Sequence, residues 1–439
     1  MNPFFHRGAI RRPADFYGRT APIEQILGLL RNGQSVSLIG PRRIGKSSLL
    51  LHISRTAVRQ PFQLQPPHAL FILVDCQELG GSPADEVYES LLLSLREAAE
   101  DADIPLPPEE DRQQGTYRAL DRALNKLSRE GVNVVVLLDE FELLAANEQL
   151  DPYFFARLRG LTTKYGLAYL TASQRPLFAI TADEAILSSP FFNIFVTLSL
   201  GLFTTAEAHG LLEARLVGTG VTFSQAVRDH LLALVGPHPF FLHIAGYHAF
   251  PVFSADPTAD PDQIDKAVEL EADSHLAYLW QNLTEEERYT LASAAGPTEL
   301  VRQLEQQCLL QAEAGVGEDA AERYDYTSQI LERFVRRQPV PGLIQAGAFV
   351  IDQQRRTVRV PERELNLTTS QFSLLVCLAE QAGQVVHAEE LERAVWGESI
   401  AAEPDRLKTL IKRLRRAIEP YDNTIVSERG IGYTLRGEL

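Results

Sequence analysis

Gly40-Pro41-Arg42-Arg43-Ile44-Gly45-Lys46-Ser47 lies between the apolar run Ser35–Ile39 and the helical run Ser48–Ile53. The spacing G-x-x-x-x-G-K-S carries a mechanism when it joins a strand to a helix. Its glycines let backbone N–H groups close around phosphate oxygens at a helix N-terminus. In that reading Lys46 neutralises charge on the β- and γ-phosphates and the Ser47 hydroxyl ligates magnesium. The predicted nucleotide-binding set is Gly40, Pro41, Arg42, Arg43, Ile44, Gly45, Lys46, Ser47 and Ser48, with ATP or ADP and Mg2+ as cofactors.

Working outward, a second motif supports the first. Val134-Val-Val-Leu-Leu-Asp139-Glu140 reads as a buried strand ending in two carboxylates. Asp139 is placed to hold the magnesium shell, and Glu140 to orient or deprotonate an attacking water, with Glu142 as an alternative base. The pair predicts hydrolysis as well as binding. The predicted catalytic residues are Lys46, Asp139, Glu140 and Arg175, the last from Thr171-Ala-Ser-Gln174-Arg175, which closes the next strand.

Over the first ~250 residues, short β-branched runs alternate with longer helical patterns, as in a parallel sheet with helices on both faces. Strands are predicted at Val36–Ile39, Leu70–Asp75, Val132–Leu138, Leu167–Thr171 and Ile194–Leu198. A Pro- and Asp-rich loop, Asp256-Pro-Thr-Ala-Asp-Pro-Asp262, ends this unit. Helical sequence then runs from Gln263 to about Leu310 and includes a capping box at Thr284-Glu-Glu-Glu287. Gln338-Pro-Val-Pro-Gly342 resists helix and strand alike and reads as a short, stiff linker. The predicted domains are 1–255, 263–337 and 343–439, with 338–342 between the last two.

Composition limits what the chain can do. With 439 residues and 45% hydrophobic content it can bury more than one core. No apolar run approaches the ~18 residues that span a bilayer. Nor does the N-terminus carry a signal-peptide pattern, so no membrane contact and a cytoplasmic location are expected. The cysteines Cys76, Cys308 and Cys377 are widely spaced in apolar stretches, which suits reduced core thiols rather than a disulfide or zinc framework. A net charge of −16 argues against a polyanion-coating protein, so any nucleic-acid contact must come from a local basic patch.

Such a patch exists near the C-terminal end. After short alternating strands from Ala346, Thr368-Thr-Ser-Gln371 is a capping box opening an apolar helix, and a second helix covers Ala388–Trp396. In the third, from Pro404 to Ile418, Leu407, Leu410, Ile411, Leu414 and Ile418 fall on one face. The other faces carry Arg406, Lys408, Lys412, Arg413, Arg415 and Arg416.

Phe16-Tyr-Gly-Arg19, the Gly40–Ser47 loop, Asp139-Glu140, Ser189-Pro-Phe-Phe-Asn193 and Gly236-Pro-His-Pro239 together resemble the STAND class of signal-transducing P-loop ATPases. The resemblance implies that Phe16, Gly18 and Arg19 lie near the adenine, that Arg175 senses the γ-phosphate, and that Pro239 contacts the nucleotide from a lid. It also implies that residues from about Leu279 to Arg337 form a winged-helix lid, which holds an ADP-bound closed state. Members of that class usually append a repeat array or other sensor, and none is read here, so the activating ligand or protein is unknown.

Leu367-Thr368, Gln371-Phe372, Leu374-Leu375, Gly383, Val395-Trp-Gly397, Lys412-Arg-Leu-Arg415 and Arg429-Gly-Ile-Gly-Tyr433 are similar to the OmpR/PhoB-type winged-helix effector domain. That similarity implies a third helix in the major groove of double-stranded DNA. It puts Arg406, Thr409 and Arg413 on bases or nearby phosphates, Arg415 on the backbone and Arg429 in the minor groove, with Trp396 in the core. Lys408 and Leu410 stand where an acidic residue and a histidine are common, so the target sequence is not transferable. No phosphoacceptor receiver domain accompanies the effector, and the ATPase occupies the regulatory position.

The fold class expected is an α/β P-loop NTPase, followed by a helical or winged-helix lid domain and a C-terminal winged helix-turn-helix domain. Three functions fit it. One is a nucleotide-switched transcriptional regulator that self-associates in its ATP state. Another is a DNA-anchored remodelling or loader ATPase, and the third a signalling or defence scaffold using the winged helix for protein docking. Arg157 and Arg159 are weak candidates for an arginine finger.

Overall fold

The structure is a computed structural model that describes residues 2–108, 116–179, 190–294, 296–312, 324–360, 363–397 and 405–436. The chain forms two compact units, Met1–Ala272 with Gln306–Cys308, and Asp273–Glu305 with Leu309–Leu439. The boundary falls inside the helix Asp265–Gln281, and the Pro/Gly stretch 338–342 lies within the second unit.

In the first unit five parallel strands, β1 (Ser35–Ile39), β2 (Ala69–Asp75), β3 (Asn133–Asp139), β4 (Ala168–Ser173) and β5 (Phe195–Ser199), are ordered β2-β3-β4-β1-β5. Every residue of β1 and β4 is buried, which explains why they read as continuous apolar runs rather than as alternating ones. The two-residue side-chain period divides β3 between two cores. Val134, Val136 and Leu138 pack with the helices Ala84–Glu100, Thr116–Arg129 and Pro152–Tyr165. Val135 and Leu137 pack with Thr20–Arg31 and Lys46–Ile53 on the other face. A sheet covered on both faces leaves the carboxyl ends of its strands as the open place for a ligand. Ile39 of β1 pairs with Ser173 of β4, and Leu138 of β3 with Thr171, so the two predicted motifs come out on that same edge. Helices Thr205–Leu216, Gln225–Val235 and Pro239–Ala255 follow.

In the second unit the capping box at Thr284 forms as read. The Glu287 N–H donates to the Thr284 hydroxyl at 3.1 Å, and the Thr284 N–H to the Glu287 carboxylate at 2.7 Å. Helices Glu285–Ser293 and Thr298–Gln306, the antiparallel pair β6 (Leu310–Ala312) and β7 (Tyr324–Tyr326), and helix Gln329–Arg336 follow in that order.

An antiparallel sheet follows, β8 (Leu343–Ala346), β9 (Phe349–Asp352), β10 (Thr357–Val360) and β11 (Arg363–Leu365). Helices Thr369–Glu380, Ala388–Trp396 and Asp405–Ala417 then pack with a small sheet, β12 (Val386–His387), β13 (Ile425–Glu428) and β14 (Gly432–Leu435), around one core. The predicted helix start Pro404 lies outside the described residues, as does Ser189.

Candidate functional site

The Gly40–Ser47 loop is held by its own backbone. The Gly40 N–H donates to the Ser173 carbonyl at 3.2 Å, and a Cβ on Gly40 would sit 2.6 Å from the Leu200 carbonyl oxygen, a space only glycine leaves open. Arg43 (φ 68°) and Gly45 (φ 107°) both turn left-handed, and Gly45 becomes the N-cap of helix Lys46–Ile53. Lys46 is 5% exposed, and its ammonium donates to the carbonyls of Gly40 at 2.8 Å and Pro41 at 3.2 Å. Burial lowers its pKa, while the nearby Glu140, Glu142 and Asp139 oppose that shift. A buried ammonium that can reach only carbonyls suits an incoming polyanion.

Across from it, burial raises the pKa of Asp139, and a hydrogen bond from the Ser47 hydroxyl works the other way. A hydroxyl and a carboxylate in contact at this place form the oxygen donor set that magnesium takes, and both would hold it. Bound there, the ion would shield phosphate charge. Glu140 sits at φ 49°, and its pKa is raised by burial and then by the neighbouring Glu142. Glu142 in turn accepts from the Gln174 N–H at 3.1 Å.

A cavity of about 320 Å³ joins Lys46, Ser47 and Glu140 to both flanks of the loop. Of the residues read from sequence, Phe16, Arg19, Arg42, Arg43, Ile44, Gly45, Lys46, Ser47, Ser48, Glu140 and Pro239 line it, whereas Gly18, Gly40, Pro41, Asp139 and Arg175 do not. Arg19, 6% exposed, is already engaged: its guanidinium donates to the Ile44 carbonyl at 3.1 Å and lies 4.4 Å from the Phe203 ring. Its pKa is lowered by burial to about 10 and it stays charged at neutral pH. Phe16 is stacked on His52 with ring centroids 3.9 Å apart. Arg175 is exposed, and the structure does not bring its side chain to the cavity. Arg157 lies over the Tyr117 ring at 5.1 Å, and both Arg157 and Arg159 are exposed.

Sequence reading missed His6, Gly8, Ala9, Ile10 and His243, which also line the cavity. The first four belong to a strap that crosses the P-loop helix, where the Ile10 N–H donates to the Ser48 hydroxyl at 2.9 Å. His243 is held neutral, its pKa pushed by burial down to about 3. No periodicity or short spacing marks any of these positions.

On the helix Asp405–Ala417, Leu407, Leu410, Ile411 and Leu414 face the core, while Arg406, Lys408, Thr409, Lys412, Arg413 and Arg416 are exposed. Arg406 lies 4.3 Å from the Trp396 ring, and Trp396 is only partly buried, serving both as core and as platform. Lys408 is paired with Asp405 at 3.2 Å. Arg415 is different: half-buried, it donates to the Ile425 carbonyl at 2.6 Å and the Ser427 hydroxyl at 3.0 Å, tying the helix to β13. Arg429 is exposed beside Gly430, which turns the hairpin at φ 78°.

All three cysteines are free and buried. Among the described residues there is no cluster of three or more His, Cys, Asp or Glu suited to a metal, and no helix is long and apolar enough to cross a membrane.

Residues 25–297 match the family described as Novel STAND NTPase 2, which is well over half of the chain, and residues 362–435 match the family described as Transcriptional regulatory protein, C terminal. The response regulator ArlR of Staphylococcus aureus is 32% identical over 108 residues, covering 24% of this chain and 49% of that protein. The chain thus spans about half the length of the curated relatives it matches. Among solved structures, a Walker-type ATPase of Pyrococcus abyssi aligns with TM-score 0.55 and 17% identity, covering 76% of this chain and 99% of that one, a likeness of fold. The RstA DNA-binding domain of Klebsiella pneumoniae, solved in complex with the RstA box, is 28% identical, covers 22% of this chain and 98% of that one, and has TM-score 0.20.

Proposed function

The chain belongs to the novel STAND NTPase 2 family, and from that premise we propose that it is a nucleotide-switched transcriptional regulator. Residues 1–255 bind and slowly hydrolyse ATP with magnesium, 263–337 act as the lid, and 343–439 grip double-stranded DNA. Lys46 and Ser47 hold the phosphates and the metal together with Asp139. Glu140 prepares the water. ADP keeps the chain closed, and ATP opens it to self-associate once an activating ligand or protein arrives.

What most supports this reading is that a protein of net charge −16 carries an exposed row of cations on the helix Asp405–Ala417, in the same chain as a buried Lys46 near Asp139 and Glu140. One short basic helix touches few phosphates, so its affinity at physiological salt is modest until assembly makes binding multivalent. Nucleotide-driven assembly gives such a helix a means of control.

The DNA half is tested by comparing two arginines. Arg413→Ala should weaken DNA binding by roughly 1–3 kcal/mol and leave thermal unfolding unchanged. Arg415→Ala frees the Ile425 and Ser427 contacts, so it should lower the melting temperature of the reader domain as well. Equal DNA retention by wild type and by Arg413→Ala combined with Arg429→Ala would show that the helix docks protein instead. ATP turnover that DNA accelerates strongly would favour a remodelling ATPase.

A further inference from the structure

The four-stranded sheet β8–β11 contacts the helical segment that precedes it within the second unit. Arg359, on β10, donates from one guanidinium nitrogen to the carbonyl of Ser293 at 2.9 Å and to that of Ala294 at 2.8 Å. These are the last carbonyls of the helix Glu285–Ser293, which stops as Ala294 turns left-handed at φ 46°. The final carbonyls of a helix have no donors of their own and carry its partial negative charge, so a cation presented to them is the matching cap. Arg359 comes from 65 and 66 positions away in sequence, so this is a tertiary contact.

Two further contacts lie beside it. Arg336 donates to the Gly347 carbonyl at 3.3 Å, between β8 and β9. The Tyr289 hydroxyl lies beside Asp352, which is 4% exposed. The intervening 338–342 stretch is also tied down. Gln338 N–H donates to Val335, Leu343 N–H to Val340 and Gln353 N–H to Gly342, at 3.0, 3.0 and 2.9 Å, and Val340 is 8% exposed.

We propose that the helices Glu285–Ser293 and Gln329–Arg336 and the DNA-reading domain form one body latched by Arg359, so that the stretch 338–342 is not a hinge. Any movement of the lid then carries the helix Asp405–Ala417 with it. This regulatory consequence rests on the nucleotide-switch reading; the docking itself does not.

Spin labels at the exposed positions Arg302→Cys and Glu389→Cys of the full chain, with the native cysteines buried, report the distance between the two parts by double electron–electron resonance. The proposal expects one narrow distance distribution, unchanged between ATP and ADP, that broadens severalfold in Arg359→Glu and stays narrow in Arg359→Lys. A broad distribution in the parent protein, or a narrow unshifted one in Arg359→Glu, overturns it. DNA binding by the same proteins separates the two ideas. Arg359→Glu should reduce the ATP-to-ADP affinity ratio to about one. A narrow distribution in a parent protein whose DNA binding ignores nucleotide would sustain the docking and remove the switch.

Discussion

Replacing Lys46 by alanine is expected to weaken ATP and ADP binding by on the order of 100-fold or more, because each hydrogen bond between charged partners is worth about 1.5–3 kcal/mol and this ammonium serves more than one phosphate oxygen. The side chain is buried and reaches no carboxylate directly, only the carbonyls of Gly40 and Pro41, so the fold loses little when it goes. Arginine should not rescue the loss, since its planar fork does not fit a space shaped around a point charge. Titration with a fluorescent ATP analogue, together with a melting curve, separates the two effects. Undiminished binding by Lys46→Ala would place the nucleotide elsewhere.

Glu140→Gln is expected to leave ATP affinity within about threefold and to cut single-turnover hydrolysis by roughly 10²–10⁴, the usual contribution of a positioned general base. Glu140 lines the cavity; Glu142 does not, and it is occupied with the Gln174 N–H. Glu142→Gln should therefore cost under about tenfold, and the reverse ranking in a radiolabelled-ATP assay would transfer the base role to Glu142.

Much of this was readable in the residues because the signals are local. Ser35–Ile39 and Asn133–Asp139 appear as strands within a residue or two of their apolar runs, and the capping boxes at Thr284 and Thr368 form where their spacing says. A third box, Thr204 with Glu207, went unread although it has the same chemistry and the helix behind it buries Leu211, Leu212 and Leu216.

What the residues did not disclose depends on distant partners. Phe4 stacks on Phe223 at 6.0 Å, and Asn2 donates to the Tyr247 carbonyl 245 positions away. Those contacts carry His6, Gly8, Ala9 and Ile10 to the cavity wall. Arg415 has the charge of a phosphate contact and the position of a brace, and only the proximity of β13 distinguishes them. Arg359 is one arginine among many until its strand is laid against the end of a helix.

Nucleotide state should control DNA binding. The direct measurement is fluorescence anisotropy of the full chain on DNA from upstream of its own gene, with ATP, with ADP and with Lys46→Ala, at two salt concentrations. Affinity at least about tenfold higher with ATP than with ADP, a difference of about 1.4 kcal/mol that disappears in Lys46→Ala, is the predicted result. Binding that weakens with salt but is the same in every nucleotide state and in Lys46→Ala would contradict it, leaving the winged helix as an anchor and ATP turnover as the output.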